Sequence, residues 1–406
     1  MEKKLQLEQI ERDLTELCVT IGDRHVGSPG NQKATDYVAK RLASSGFKVE
    51  KPEFTCIDWE SGEVILKAGN ERIEAFISPY SLSCDIESSF ETACTFEELT
   101  GKDFTGKIAV LHGELCKEQL MPKNFVFYNP ENHKQIISMI EEKSPLAVVA
   151  ITSRNPELAG AWYPFPLFED GDFNIPSVFL TEEEGRKILS SAENTMYLKI
   201  ESKRIPSKGC NVIGTKDGSS NQRIVFCAHI DTKKGTPGAL DNGAGVTSLL
   251  ALADLLKDYK GKYGIEILAV NGEDYYAASG QMLYLSENKD GFEDILLAVN
   301  TDGTGCKGYK TTFSCFDCKE SMGQAIRNAF KDNKKFIEID PWYQSDHMIF
   351  VMNGIPAVAL TSENVMEVMT EIAHTPHDKI DKVDSNKIPE IAQTMKDMIN
   401  GLNDIK

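Results

Sequence analysis

The chain has 406 residues, 41% hydrophobic and 26% charged, a composition that builds a packed core and excludes a disordered or low-complexity protein. Its 62 acidic residues against 44 basic ones give a formal charge of −18, which offers no electrostatic footprint to nucleic acid or to an anionic membrane surface. The length exceeds what one core usually serves, so two domains, or one large α/β domain carrying an insertion, are expected.

Residues 1–18 are studded with charge, and Leu7, Ile10, Leu14 and Leu17 recur at helical spacing; this predicts an amphipathic helix and lacks the apolar core of a signal peptide. No stretch reaches transmembrane length. Without a secretory signal, the ten cysteines read as reduced thiols of a cytoplasmic protein rather than as a disulfide framework. Cys315 and Cys318 form a C-x-x-C pair, open to a redox or metal role or to simple burial. Gly27, Pro29 and Gly30 mark a turn, and Ala34, Val38 and Leu42 mark the apolar face of a helix that leads into a strand. Over residues 51–204 the character changes. Short apolar runs at 107–113, 145–152 and 175–181 alternate with acidic and proline-bearing connections, which predicts a smaller, mixed, strand-rich module.

From residue 205 onward strands and helices alternate. A buried strand at 223–231 precedes a helix over 242–258 whose core face is Val246, Leu249, Leu250, Ala253 and Leu256. Further strands fall at 264–274, 295–303 and 355–362, and Ile388, Ile391, Met395 and Met398 mark a closing helix. The fold class is therefore α/β: a mostly parallel, doubly wound sheet with helices on both faces, built from residues 1–50 and 205–406, with 51–204 inserted.

Ligands of such sheets bind outside the carboxyl ends of the strands. Here those ends carry His229 with Asp231, Glu273 with Asp274, and Asp302, while Asp241 precedes the first helix and His374 follows the last strand. Catalytic zinc takes imidazole nitrogen and carboxylate oxygen, and two metals about 3.5–4 Å apart need a carboxylate between them. Two histidines and three aspartates suit such a pair. Asp231, two residues beyond His229, would orient its imidazole, and Glu273 is long enough to deprotonate a metal-bound water while Asp274 ligates. Each has an ordinary alternative: a structural His–Asp hydrogen bond, a solvated acidic loop, a turn aspartate before glycine. Their company favours the chemistry, because unrelated turn acids would not fall at successive strand ends.

The segments GSPGNQKATDYVAKRL, AHID, PGALDNGAG, NGED, VNTDG, SDHMIFVMNGIPAVAL and HTPHDKIDKVD, in this order, resemble the zinc aminopeptidases with a co-catalytic metal pair, a family related to glutamate carboxypeptidase, glutaminyl cyclase and the transferrin receptor ectodomain. The resemblance implies two zinc ions, replaceable by cobalt or manganese in vitro. Asp241 would bridge them, His229 and Asp302 would complete one site, Asp274 and His374 the other, and Glu273 would be the general base. It further implies that Asp231 supports the first histidine, that Asp346 of the S-D-H triplet lies near Asp302, that a cis peptide follows Asp241, and that 51–204 is a protease-associated-like domain. The implied activity is release of N-terminal residues from peptide substrates, with homo-oligomers compatible. A glutamate-releasing carboxypeptidase and a glutaminyl cyclase are alternatives on the same scaffold, and a metal-free receptor-like binding protein is one of another class. Asp274 stands where the family commonly has glutamate, and Ala373 where several members have a tyrosine that stabilises the tetrahedral intermediate. Tyr343 or Trp342 are candidate replacement donors, and His377 competes with His374, although H-T-x-x-D fits His374.

Overall fold

The computed structural model describes residues 2–154, 163–192, 194–331, 335–363 and 365–404. The chain forms two units, Met1–Cys56 with Lys208–Lys406, and Ile57–Ser207. These boundaries lie inside two long strands, Glu53–Ala68 and Thr195–Cys210, rather than at 51 and 204.

The first unit is organised by an eight-stranded sheet of β1 (Lys48–Glu50), β2 (Val212–Lys216), β3 (Arg223–His229), β4 (Gly264–Val270), β5 (Ile295–Thr301), β6 (Thr311–Phe316), β7 (Phe336–Glu338) and β8 (Ala357–Ser362), in the order β1-β2-β4-β3-β5-β8-β6-β7. The central strands β4, β3, β5 and β8 are parallel. Both flanks join antiparallel, β2 on β4 and β6 on β8, so the sheet is mixed rather than parallel throughout. The central strands read as continuous apolar runs because both faces are covered: β3 is buried from Ile224 and β4 from Ile265.

Side chains alternate across a strand, so Ile224, Phe226 and Ala228 point to one face together with Ile265, Ile267 and Ala269. That face packs against α1 (Glu2–Thr15), α2 (Pro29–Ser44), α3 (Ala244–Leu255), α5 (Glu320–Phe330) and α6 (Lys387–Asn403). Helix α2 starts where the sequence places it: Ser28 accepts the Asn31 N–H at its N-cap and Pro29 occupies the first turn. Glu266 points to the opposite face, where it accepts the hydroxyl of Tyr284 at 2.6 Å and Arg223 Nε at 2.8 Å. Tyr284 belongs to α4 (Ser279–Glu287) and packs edge-on against Phe350 at 5.7 Å, so helices cover this face too. Since the four central strands run the same way, their carboxyl ends form one edge.

The second unit carries strands Cys84–Ala93, Ile108–Leu111, Ala147–Ile151 and Ser177–Leu180 in successive parallel pairs, with apolar clusters on both sides. Its His133 is buried, and Nδ1 accepts the Met121 N–H at 3.1 Å. Among the described residues no helix is long and apolar enough to cross a membrane.

Candidate metal centre

His229 is the last residue of β3, Asp302 directly follows β5, and Asp274 lies four residues beyond the end of β4. Asp241 lies in the irregular turn before α3, and the Asp241–Asn242 peptide is cis. His374 follows the short helix Val365–Glu371. The sheet thus brings all five together. The two oxygens of Asp241 face different histidines, Oδ1 at 3.0 Å from His229 Nε2 and Oδ2 at 3.0 Å from His374 Nε2. His374 Nε2 is also 3.0 Å from Asp274 Oδ1, and His229 Nε2 is 3.6 Å from Asp302 Oδ1. This is a symmetric arrangement of two triads sharing one carboxylate.

The donor set fits two cations. His229 Nδ1 lies 3.1 Å from the main-chain carbonyl of Asp231, so that nitrogen carries the proton and the Nε2 lone pair faces the carboxylates. His229 Nε2 and Asp274 Oδ2 are buried and have no hydrogen-bond partner among the described residues. A lone pair aimed at anions requires a positive charge between them, a proton or a metal ion. The electrostatics agree. Burial alone would lower the His229 pKa, but the carboxylates of Asp302 and Asp241 hold it well above the ordinary histidine range. Burial likewise opposes the charge on His374, and Asp274 and Asp241 outweigh it. Burial pushes the Glu273 carboxyl well up; His229 opposes this, and the nearby charges of Asp274, Asp302 and Asp346 reinforce it. A half-buried glutamate with a raised pKa beside these donors could accept a proton.

Asp231 differs from expectation. Its carboxylate oxygen is 3.7 Å from His229 Nδ1, beyond hydrogen-bond range, and the imidazole is served by the main-chain carbonyl instead. The two oxygens accept the N–H groups of Gly272 at 2.8 Å and Asp274 at 3.0 Å, on either side of Glu273. Gly272 has φ +124°, and a Cβ there would lie 2.9 Å from Gln281 Oε1, so the tight turn requires glycine. Asp346 is buried and accepts Gln281 Nε2 at 3.0 Å; burial pushes its carboxyl up to about 7, His229 opposing and Asp302 and Asp231 adding to the effect. Tyr343 is 68% exposed with its ring edge-on to Phe316, and among the described residues no hydrogen bond joins it to the ligand set. Trp342 uses its carbonyl to bind His347 Nε2 at 2.8 Å. His377 is exposed, whereas His374 faces both acids. Cys315 and Cys318 are half-buried, free thiols.

Two residues were given no part by sequence reasoning. Arg24 is 1% exposed and donates to the carbonyls of Ile230, Leu17, Gly22, Pro237 and Gly238, lacing down the loop that leads to Asp241. Asp378 accepts the N–H groups of Leu240 and Asp241. The motif H-T-x-x-D displayed Asp378, but nothing in the sequence revealed which amides it meets.

A mixed α/β sheet whose parallel central strands and adjoining loops assemble two triads around a shared aspartate has the layout of a co-catalytic metallopeptidase site. Residues 211–399, which hold all five donors and Glu273, match the model of peptidase family M28. Among curated proteins it resembles the probable lipoprotein aminopeptidase LpqL of Mycobacterium tuberculosis, 25% identical over 293 residues, covering 69% of this chain and 55% of that protein. The chain thus spans about half the length of that relative. Among solved structures, an aminopeptidase from Aneurinibacillus sp. strain AM-1 superposes with a TM-score of 0.76 at 21% identity over 97% of this chain and 93% of its own. BSAP, a zinc aminopeptidase from Bacillus subtilis, does so with a TM-score of 0.76 at 18% identity over 98% and 95%.

Proposed function

We propose that the protein is a zinc-dependent aminopeptidase releasing N-terminal residues from peptides. The observation that carries this reading is Asp241, each of whose oxygens stands 3.0 Å from a different histidine. His229, Asp302 and Asp241 would hold one zinc ion, and His374, Asp274 and Asp241 the other. The names of the relatives support both the metal and the activity. When bound, such a metal pair supplies Lewis acidity that polarises the scissile carbonyl and makes water acidic.

The chain's own residues supply the rest. Glu273, held between the two amides that Asp231 grips, accepts the proton of the attacking water and returns it to the departing amine. Asp274 and Asp302 provide the negative charge that receives the substrate's free α-amino group. All of these residues lie in the first unit, and we read residues 57–207 as a protease-associated-like module; among the described residues the His/Asp group able to hold a metal ion, His229, Asp241 and Asp274, lies outside it. We read the ten free cysteines as those of a cytoplasmic protein.

One peptide offered with a free and an N-acetylated terminus, to metal-stripped and zinc-reloaded protein, tests the proposal. Zinc-dependent release of the first residue from the free form only is expected. Cleavage of the blocked form from its carboxyl end would make the enzyme a carboxypeptidase, cyclisation of a glutaminyl peptide a cyclase, and absence of any zinc-dependent turnover a binding protein.

A further inference from the structure

We infer that Asp378 is a positioning residue that fixes Asp241 relative to His374 and thereby sets the geometry of the second metal site. The inference rests on the two-metal reading above and adds a residue to it.

Asp378 lies four residues after His374 in the same turn, closed by its own N–H on the Thr375 carbonyl at 3.1 Å. It is fully buried. Its Oδ1 accepts the Leu240 N–H at 2.7 Å and its Oδ2 the Asp241 N–H at 2.9 Å, while its main-chain carbonyl accepts the Ala239 N–H at 3.1 Å. Three consecutive amides leading to the shared aspartate therefore end on one residue that is 137 positions away in sequence and tied to the histidine opposite. Arg24 holds the same loop from its other end, with Nη1 on the Pro237 carbonyl at 2.7 Å and Nη2 on that of Gly238 at 2.9 Å. Because the main chain is gripped, the Asp241 carboxylate is left to face both histidines. His374 itself sits at φ +59°, a region that a non-glycine residue keeps only when its surroundings hold it there. A ligand held by a shell of hydrogen bonds loses affinity when that shell is cut, by about ten- to hundredfold.

The alternative is a capping residue that stabilises the loop without bearing on the metal. Measuring zinc affinity by competition with a chromophoric chelator, alongside the thermal midpoint of the metal-free protein, separates the two. Asp378→Asn keeps the volume but turns an amide NH2 towards a main-chain N–H. We expect zinc affinity to fall by about ten- to hundredfold while the metal-free midpoint falls only by the few degrees that one lost buried hydrogen bond costs. In an Asp241→Asn background, the same substitution should add little further loss. Asp378→Glu, which keeps a carboxylate but displaces it by one methylene, should also lose affinity because the amides no longer meet both oxygens. Unchanged affinity in the Asn and Glu variants, or a loss that multiplies undiminished onto that of Asp241→Asn, would overturn the inference. An unaltered chain that binds no zinc would instead remove the two-metal reading itself, and this inference with it.

Discussion

The Asp231 carboxylate grips the main chain of Asp274, not the imidazole of His229: its Oδ2 accepts the Asp274 N–H at 3.0 Å. Its other oxygen takes the Gly272 N–H, so one buried carboxylate spans the peptide units flanking Glu273. Asp231→Asn replaces one acceptor by a donor facing a donor. Turnover should fall by about ten- to hundredfold with little change in KM, and zinc content should persist because His229 keeps its carbonyl partner. Steady-state kinetics with metal analysis checks this; loss of zinc as severe as in His229→Ala would return Asp231 to the imidazole.

Glu273→Gln preserves size but cannot accept a proton. Zinc content should remain near that of the unaltered protein while kcat drops by about 10²–10⁴-fold. Turnover near the original value would remove Glu273 as the base.

The two histidines of the H-T-P-H-D segment make a paired test. His374→Ala removes a nitrogen 3.0 Å from both Asp241 and Asp274, so it should abolish activity and release one zinc equivalent. His377→Ala, at an exposed position, should leave both properties within about twofold of the starting protein. Metal content and activity of the two purified variants decide the assignment, and the reverse pattern would make His377 the ligand.

His347 gives a pH dependence separate from turnover. Burial lowers its pKa to about 4, while its ring hydrogen bond to the Trp342 carbonyl and the charge of Asp302 act in the opposite sense. The unfolded chain protonates first, near the ordinary value of about 6.5. The neutral ring's contribution to stability is therefore complete above that pH and is lost as the pH falls towards the folded value, on the order of 3 kcal/mol in all. Thermal midpoints of metal-free protein between these limits should decline less steeply in His347→Gln. Parallel profiles would show that His347 does not titrate as described.

The parallel core could be read from the chain because β3, β4, β5 and β8 are largely apolar runs, the first three leading into ionisable residues, and a run buried on both faces has few other solutions. The convergence of His229, Asp241, Asp274, Asp302 and His374 follows from the same property, since parallel strands deliver their carboxyl ends to one edge. The antiparallel flanks were less legible. Val212–Lys216 contains a glycine and no unbroken apolar run, and it becomes a strand only by pairing with β4. The H-x-D spacing misled at Asp231 because β3 ends at His229, and beyond it the chain turns its carboxylate towards the end of the neighbouring strand. The partners of Asp378 were beyond reach for a related reason: contacts between residues more than a hundred positions apart are made by the fold, not by local pattern.

Asp241 is proposed to be shared by two metal ions, and an anomalous-difference map from crystals of the zinc-loaded protein is the sharpest test of that sharing. Two peaks are predicted, one among His229, Asp302 and Asp241 and the other among His374, Asp274 and Asp241, at the separation of about 3.5–4 Å typical of paired sites. A single peak, or zinc bound away from Asp241, would rule out the shared carboxylate.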